Sequence, residues 1–375
     1  MTRPLVTLRL LEAQTRRIQR KHPGLERLCF RSCTLEEAPL GDISAIIRQA
    51  WRRSYGDRIS ISYRPALLRL AGTGAEGLGL VTLAEDDSGL CGVILGLPVD
   101  CELPPSTGPA TLTTGLCSTE AREGSGIIEM LLARHSSNLM EEGHSFSLHW
   151  RAASEGQTPD KARLAHAGRV PLWAKPLDCN RAARLGHLPW WQGMALRWLA
   201  WRHPAGRPLT DGLVVEPFNP SHAMEYAAFL GEHHQERGLL RRFSGKCLRR
   251  RCLFDEDGIR GFALAFREGG NLAGFAHGYV NPVNDEGDAY FAVDGAVFHP
   301  FLPEGRRAAC LSAFEGAVRD QFGCFAVMAP GSVSPLPMGR LGYMPVRRYH
   351  IGALAYQPPE NLSPESVAGM MLELR

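Results

Sequence analysis

The stretch GLCSTEAREGSGIIEMLL, residues 115–132, sets Arg122-x-Gly124-x-Gly126 between a strand-like run and an apolar-periodic helix. A strand that ends at a helix N-terminus leaves backbone N–H groups without intrahelical partners, and glycines let an anion approach them closely. Arg122, Glu123, Gly124, Ser125, Gly126 and Ile127 are therefore the candidate phosphate cradle, with the Arg122 guanidinium adding a charge-assisted contact. The helix that follows is expected to bury Ile127, Ile128, Leu131, Leu132 and Leu139 on one side. The glycine order differs from GxGxxG, and no parallel βαβ series surrounds it, which excludes a dinucleotide-binding fold on context.

The elements that must position this loop occur twice. In the first half a helix around 36–53 precedes the strands LGLVTLAED and LCGVILGLPV, a strand–loop–helix at 111–142, the strand FSLHW and the run LDCNRAARLGHL. In the second half a helix around 219–237 precedes GFALAFREG and AGFAHGYV, a strand–loop–helix at 289–319, CFAVMAP and PLPMGRLGYMPV. The expectation is an α/β chain, more finely α+β, made of two copies of one module of roughly 160 residues, each a mixed, mainly antiparallel sheet flanked by helices. The Pro/Gly cluster WRHPAGRPLTDG marks the boundary, which gives a basic helical segment 1–30, a first lobe 31–203, a linker 204–212 and a second lobe 213–375. The second lobe carries FHPFLPEGRRAAC where the first carries its glycine loop, so only the first lobe is expected to bind a phosphate.

Composition narrows the partners. The 375 residues are 44% hydrophobic with a net charge of +3, which suits two packed cores and argues against nucleic acid held by bulk charge. Ten scattered cysteines without metal-ligand spacing read as reduced, so a cytoplasmic protein with no metal is expected. No run approaches the ~20 apolar residues of a transmembrane helix.

The segments SYRPALLRLA, LCGVILGLPVDCEL, GLCSTEAREGSGIIEMLLARHSSNLMEEGHSFSLHW, VPLWAKPLDCNRAARLGHL, AMEYAAFLGEHHQERGLLRRFS and SPESVAGMMLEL resemble, in order, those of the glycylpeptide N-myristoyltransferases. These are tandem members of the GNAT acyltransferase superfamily. The resemblance implies two GNAT lobes around a shared cleft, with an acyl thioester in the first and an acceptor amine between them. It also implies that the backbone amides of Gly115 and Leu116 polarise the thioester carbonyl at a strand bulge, an effect worth ~3 kcal/mol per donor. It assigns Arg122 to Ile127 to the pyrophosphate, with no permanently bound cofactor and acyl-CoA or a phosphopantetheinyl acyl-carrier protein as donor.

The departures set the limits. The aromatic N-terminal motif that clamps the nucleotide end of the coenzyme is absent from residues 1–35, which admits an acidic carrier protein. Arg249, Arg250 and Arg251, with Arg241 and Arg242, or the basic N-terminal helix would meet such a surface. The acidic peptide-receiving loop is shortened to SYGDRIS, and Ala174 stands beside Trp173 where the family has His, so the acceptor is a peptide N-terminus or a small amine. The base that takes the amine's proton is the terminal carboxylate of Arg375, by resemblance, or His149 on FSLHW. Asp294 in FAVDGAVF is assigned the position in the second lobe like that of His149, as a site for the cationic amine. Tyr63, Trp150 and Trp173 are candidates for the acceptor or acyl channel. Two other readings stand beside the long-chain N-acyltransferase: an acetyl-CoA-dependent small-amine acetyltransferase, and a non-catalytic acyl- or protein-binding module.

Overall fold

The computed structural model describes residues 7–55, 63–72, 79–99, 101–102, 110–144, 146–152, 165–209, 212–232, 240–241, 244–284, 286–330 and 336–355. The chain forms two compact units, residues 1–57, 63–168 and 350–367 in the first and 58–62, 169–349 and 368–375 in the second.

In the first unit the strands Cys29–Thr34, Leu80–Asp86, Gly89–Val99 and Ala110–Ser118 form a continuous antiparallel series. The strand Phe146–Ala152 then pairs parallel to Ala110–Ser118. Parallel pairing needs a crossover, and the helix Ile127–Glu141 supplies it. Its buried face holds Ile127, Met130, Leu131, His135 and Leu139, whereas Ile128, expected inside, is exposed. The apolar repeat therefore takes in Met130 and His135 rather than Ile128. The helix Leu8–Lys21 packs on this crossover helix, and its Ile18 joins Ala84, Cys91, Ile94 and Leu131 in one core cluster. The N-terminal segment is thus one apolar side of a packed pair with a solvated basic face.

The second unit repeats the order. Leu213–Pro217, Ile259–Glu268, Asn271–Pro282 and Ala289–Phe298 are antiparallel, and Ala326–Pro330 pairs parallel after the helix Glu304–Phe322. Residues from Arg169 of the strand Ala165–Pro176 flank Ala326–Pro330 antiparallel, with Trp173 opposite Ala329 and Lys175 opposite Val327.

This last pairing moves the division of the chain. The Pro/Gly cluster at 201–212 suggested a boundary there, but residues 169–203 group with the second unit and 350–355 with the first. The reason is local bonding. Lys175 pairs with Glu315 at 2.5 Å in the interior of the second unit, where the Tyr343 hydroxyl donates to the same carboxylate at 2.7 Å. Arg181 donates to Asp288 through both Nε (2.9 Å) and Nη2 (2.7 Å). A proline-rich turn tells where helix formation stops, not which sheet the flanking strands join.

Candidate active site

The bulge implied at Gly115–Leu116 is present. Val93 faces Cys117 and Leu95 faces Thr114, so Ile94 alone stands opposite both residues. Gly115 has φ of +63°, and a Cβ there would lie 3.0 Å from Ile47 Cδ1 and Leu95 Cδ1. Both constraints favour glycine, and an extra residue held this way falls out of the ladder's pairing. The parallel register with Phe146–Ala152 runs from Ala110 to Thr113, two residues before the bulge. Leu116 is 37% exposed in a strand whose Leu112 and Cys117 are buried.

The glycine loop follows as a short turn at Glu120–Arg122, with the Ser125 amide and hydroxyl donating to the Arg122 carbonyl at 3.2 and 2.6 Å. Gly124 (φ +72°) faces open space, and Gly126 (φ +83°) caps the helix Ile127–Glu141 without any side-chain hydrogen bond. The helix N-terminus therefore keeps its partial positive charge uncovered by a side-chain acceptor.

Three side chains frame this terminus, and only Arg122 belongs to the local motif. Arg122 forms an ion pair with Asp86, whose carboxyl is held down to about 2 by the Ser88 hydroxyl and then by Arg122 itself. Its charge is largely committed within the protein. Arg53, at the end of the helix Leu40–Tyr55, donates to Glu123 Oε1 and to the Ser118 carbonyl, each at 2.9 Å. The His22 ring lies against Gly126, where a Cβ would come 2.5 Å from His22 Cδ2, and His22 and Lys21 approach Glu129 at 3.6 and 4.0 Å. Neither Arg53 nor His22 carries a local motif; each arrives through tertiary packing.

The base and acceptor candidates separate. His149 Nε2 lies 2.9 Å from the Ser147 hydroxyl, and burial pushes its pKa down to about 4. It is neutral at pH 7, yet a weak proton acceptor for an alkylamine. Tyr63, with φ of +41°, is buried beside the bulge: its hydroxyl lies 3.4 Å from Thr114 Oγ1 and its ring 5.4 Å from that of Trp51. Trp150 is in the strand Phe146–Ala152, but its side chain, like the whole of Arg375, lies outside the described residues. Trp173 packs against the core of the second unit.

Asp294 is not in the position like that of His149. His277 faces Gly295 and Gly278 faces Val293, so Asp294 is the extra residue of a bulge in Ala289–Phe298, the counterpart of Gly115–Leu116. It is 1% exposed and its Oδ2 accepts from Arg251 Nε (3.2 Å) and Nη2 (2.7 Å). Register, not strand count along the sequence, decides this equivalence. Arg251 is accordingly buried, which removes it from any carrier-protein surface; Arg249 and Arg250 remain exposed. Arg241 and Arg242 lie where no side chain is described.

No protein-family model matches the chain, and neither does any curated protein sequence. Solved structures do. Saccharomyces cerevisiae N-myristoyltransferase with bound myristoyl-CoA superposes with a TM-score of 0.68 at 13% identity, covering 92% of this chain and 89% of that one. A structure of the same enzyme with myristoyl-CoA and inhibitors gives 0.64 at 14%, covering 92% and 86%. A tandem GNAT protein from the clavulanic acid biosynthesis pathway gives 0.56 at 14%, covering 88% and 99%. The chain has the tandem GNAT fold and structurally resembles N-myristoyltransferase.

Proposed function

We propose that this protein is an N-acyltransferase that moves a long acyl group from an acyl thioester, on CoA or on an acyl-carrier protein, to an amine at a peptide N-terminus. The observation that carries the reading is the succession, within one unit, of a positive-φ glycine bulge at Gly115–Leu116 and a helix N-terminus capped only by Gly126. Phosphates of the pantetheine arm would rest on the backbone of Gly124 to Ile127. The thioester carbonyl would then face the amides of Gly115 and Leu116.

The amine nitrogen attacks the carbonyl carbon, the oxyanion is held by those amides, and the intermediate collapses with cleavage of the C–S bond. The amine's proton must leave, and a proton must reach the departing thiolate. The family resemblance offers the Arg375 carboxylate as the acceptor; a carboxylate is no stronger a base than His149, so its role would rest on position rather than basicity. The choice of a long acyl group rests on the resemblance to structures solved with bound myristoyl-CoA.

The test is direct. Purified protein is incubated with acyl-CoAs from acetyl to palmitoyl, with matching acyl-carrier proteins, and with a mixture of peptides and small amines, and products are read by mass spectrometry. A long-chain amide is the expected product. Acetylated small amines alone would establish the acetyltransferase reading, and binding without product the silent module.

A further inference from the structure

The helix Trp190–Arg202, WWQGMALRWLAWR, is built inside out. Leu196 is its one fully buried residue, and with the partly buried Gln192, Leu199 and Ala200 it forms the inner face. The large apolar side chains point outward: Trp190 is 81% exposed, Trp201 76%, and Trp191, Met194 and Trp198 are each more than half exposed. With successive residues about 100° apart, these five fall in one arc of roughly 100°. Arg197 lies just beyond one edge of the arc and Arg202 just beyond the other.

Four of the chain's seven tryptophans are therefore displayed on a single exposed stripe. Exposed apolar area of this kind marks an interaction surface, because water alone would disfavour it. The charge around it is one-sided. Residues 179–210 contain no Asp or Glu; Arg181 and Arg184 are paired with Asp288, which leaves Arg197, Arg202 and Arg207 as the cations of this segment without a carboxylate among the described ion pairs. The Arg202 guanidinium sits 5.9 Å over the Trp198 ring, and Arg197 is steadied by Asn180 Oδ1 at 2.7 Å. Both arginines are thus held beside the stripe.

We propose that this helix is an in-plane anchor that docks the protein on an anionic lipid bilayer. Indole rings prefer the boundary between headgroups and acyl chains, and flanking arginines meet lipid phosphates while their stems cover apolar surface. At 13 residues, about 20 Å, the helix is too short to cross a hydrocarbon core of ~30 Å and long enough to lie in its surface. No helix among the described residues is long and apolar enough to span a membrane. A second copy of this chain is the poorer occupant: two such faces would bring arginines against arginines, with no carboxylate on either helix.

The test uses the full chain and sucrose-loaded vesicles of phosphatidylcholine with or without phosphatidylglycerol. Co-sedimentation with the anionic vesicles is expected, with a blue shift of tryptophan emission and quenching by shallow doxyl-labelled lipid. Combined Trp190→Ser, Trp198→Ser and Trp201→Ser should reduce the bound fraction roughly tenfold or more. Arg197→Glu with Arg202→Glu should abolish the preference for phosphatidylglycerol. Failure of the wild type to sediment with anionic vesicles, or its sedimentation without doxyl quenching, would overturn the proposal. So would self-association in lipid-free solution that the tryptophan substitutions abolish. The quenching readout needs no variant, so a folding defect in the substituted chain does not leave the question open.

Discussion

The two units place a bulge at the same point of the same sheet order and do opposite things with it. In the first, Gly115 and the exposed Leu116 share one partner position, and the loop before the next helix exposes Gly124 to open space. In the second, the extra residue is the buried Asp294, bonded to Arg251, in a strand buried along its whole length. There the helix starts after Pro303 with Glu304 as its first residue, whereas Glu129, the first-turn carboxylate of the first unit's helix, lies toward Lys21 and His22. A strand–bulge–helix is thus a scaffold feature. Whether it accepts a thioester depends on a few side chains that leave its backbone amides open or seal them.

Four perturbations test that contrast. The largest effect is expected at the sealed bulge. Asp294→Ala leaves the Arg251 guanidinium buried without its carboxylate and should cost about 3–5 kcal/mol of stability, read by urea unfolding. Asp294→Asn protein that folds should retain donor affinity, and loss of that affinity by calorimetry would mean that the second bulge also serves the donor. At the open bulge, Gly115→Val should lower turnover by ~10²-fold or more through displaced oxyanion donors, while acyl-CoA binding is weakened much less. Equal losses in both would place Gly115 in binding instead.

The first unit also holds the buried His135 and the half-buried His149. His135 donates to or accepts from Thr82 Oγ1 at 3.0 Å, and burial, followed by the neighbouring His149 and His144, pushes its pKa down to about 3. His135 and His149 thus resist protonation when folded, whereas in the unfolded chain they bind protons from near pH 6.5 downward. Their contribution is complete above that pH and declines as pH falls toward 4, by up to about 1.4 kcal/mol per pH unit for each histidine. Thermal melts between pH 7.5 and 5 should show this slope, and His135→Asn should flatten it.

The smallest effect concerns the loop's own charge. Because Arg122 is already paired with Asp86, Arg122→Ala should weaken donor binding only about threefold. Asp86→Ala, which releases the guanidinium, should tighten it. A tenfold loss in Arg122→Ala would show that the pair opens when donor binds.

The glycine loop was legible because its chemistry is local: a helix terminus and two positive-φ residues can be read from five consecutive letters. The repeat was legible because hydrophobic periodicity recurs at matching intervals. The unit boundary was not, since Pro204 and Pro208 mark a break in helix while the hydrogen bonds of Trp173 and Lys175 settle which sheet their strand completes. Asp294 stands out in the sequence, but its position does not, since that depends on a one-residue register shift opposite His277 and Gly278.

By itself, then, the sequence determined the kind of elements, their order, their duplication and the glycine loop at the start of the helix Ile127–Glu141. These follow from steric preference and apolar period, which act over a few residues. Tertiary structure alone decided that Arg122 is spent on Asp86, that Arg53 and His22 frame the loop, that Arg251 seals the second bulge, and that four tryptophans face outward. Each of these is a matter of which surface a side chain meets across the fold, and no local pattern encodes that.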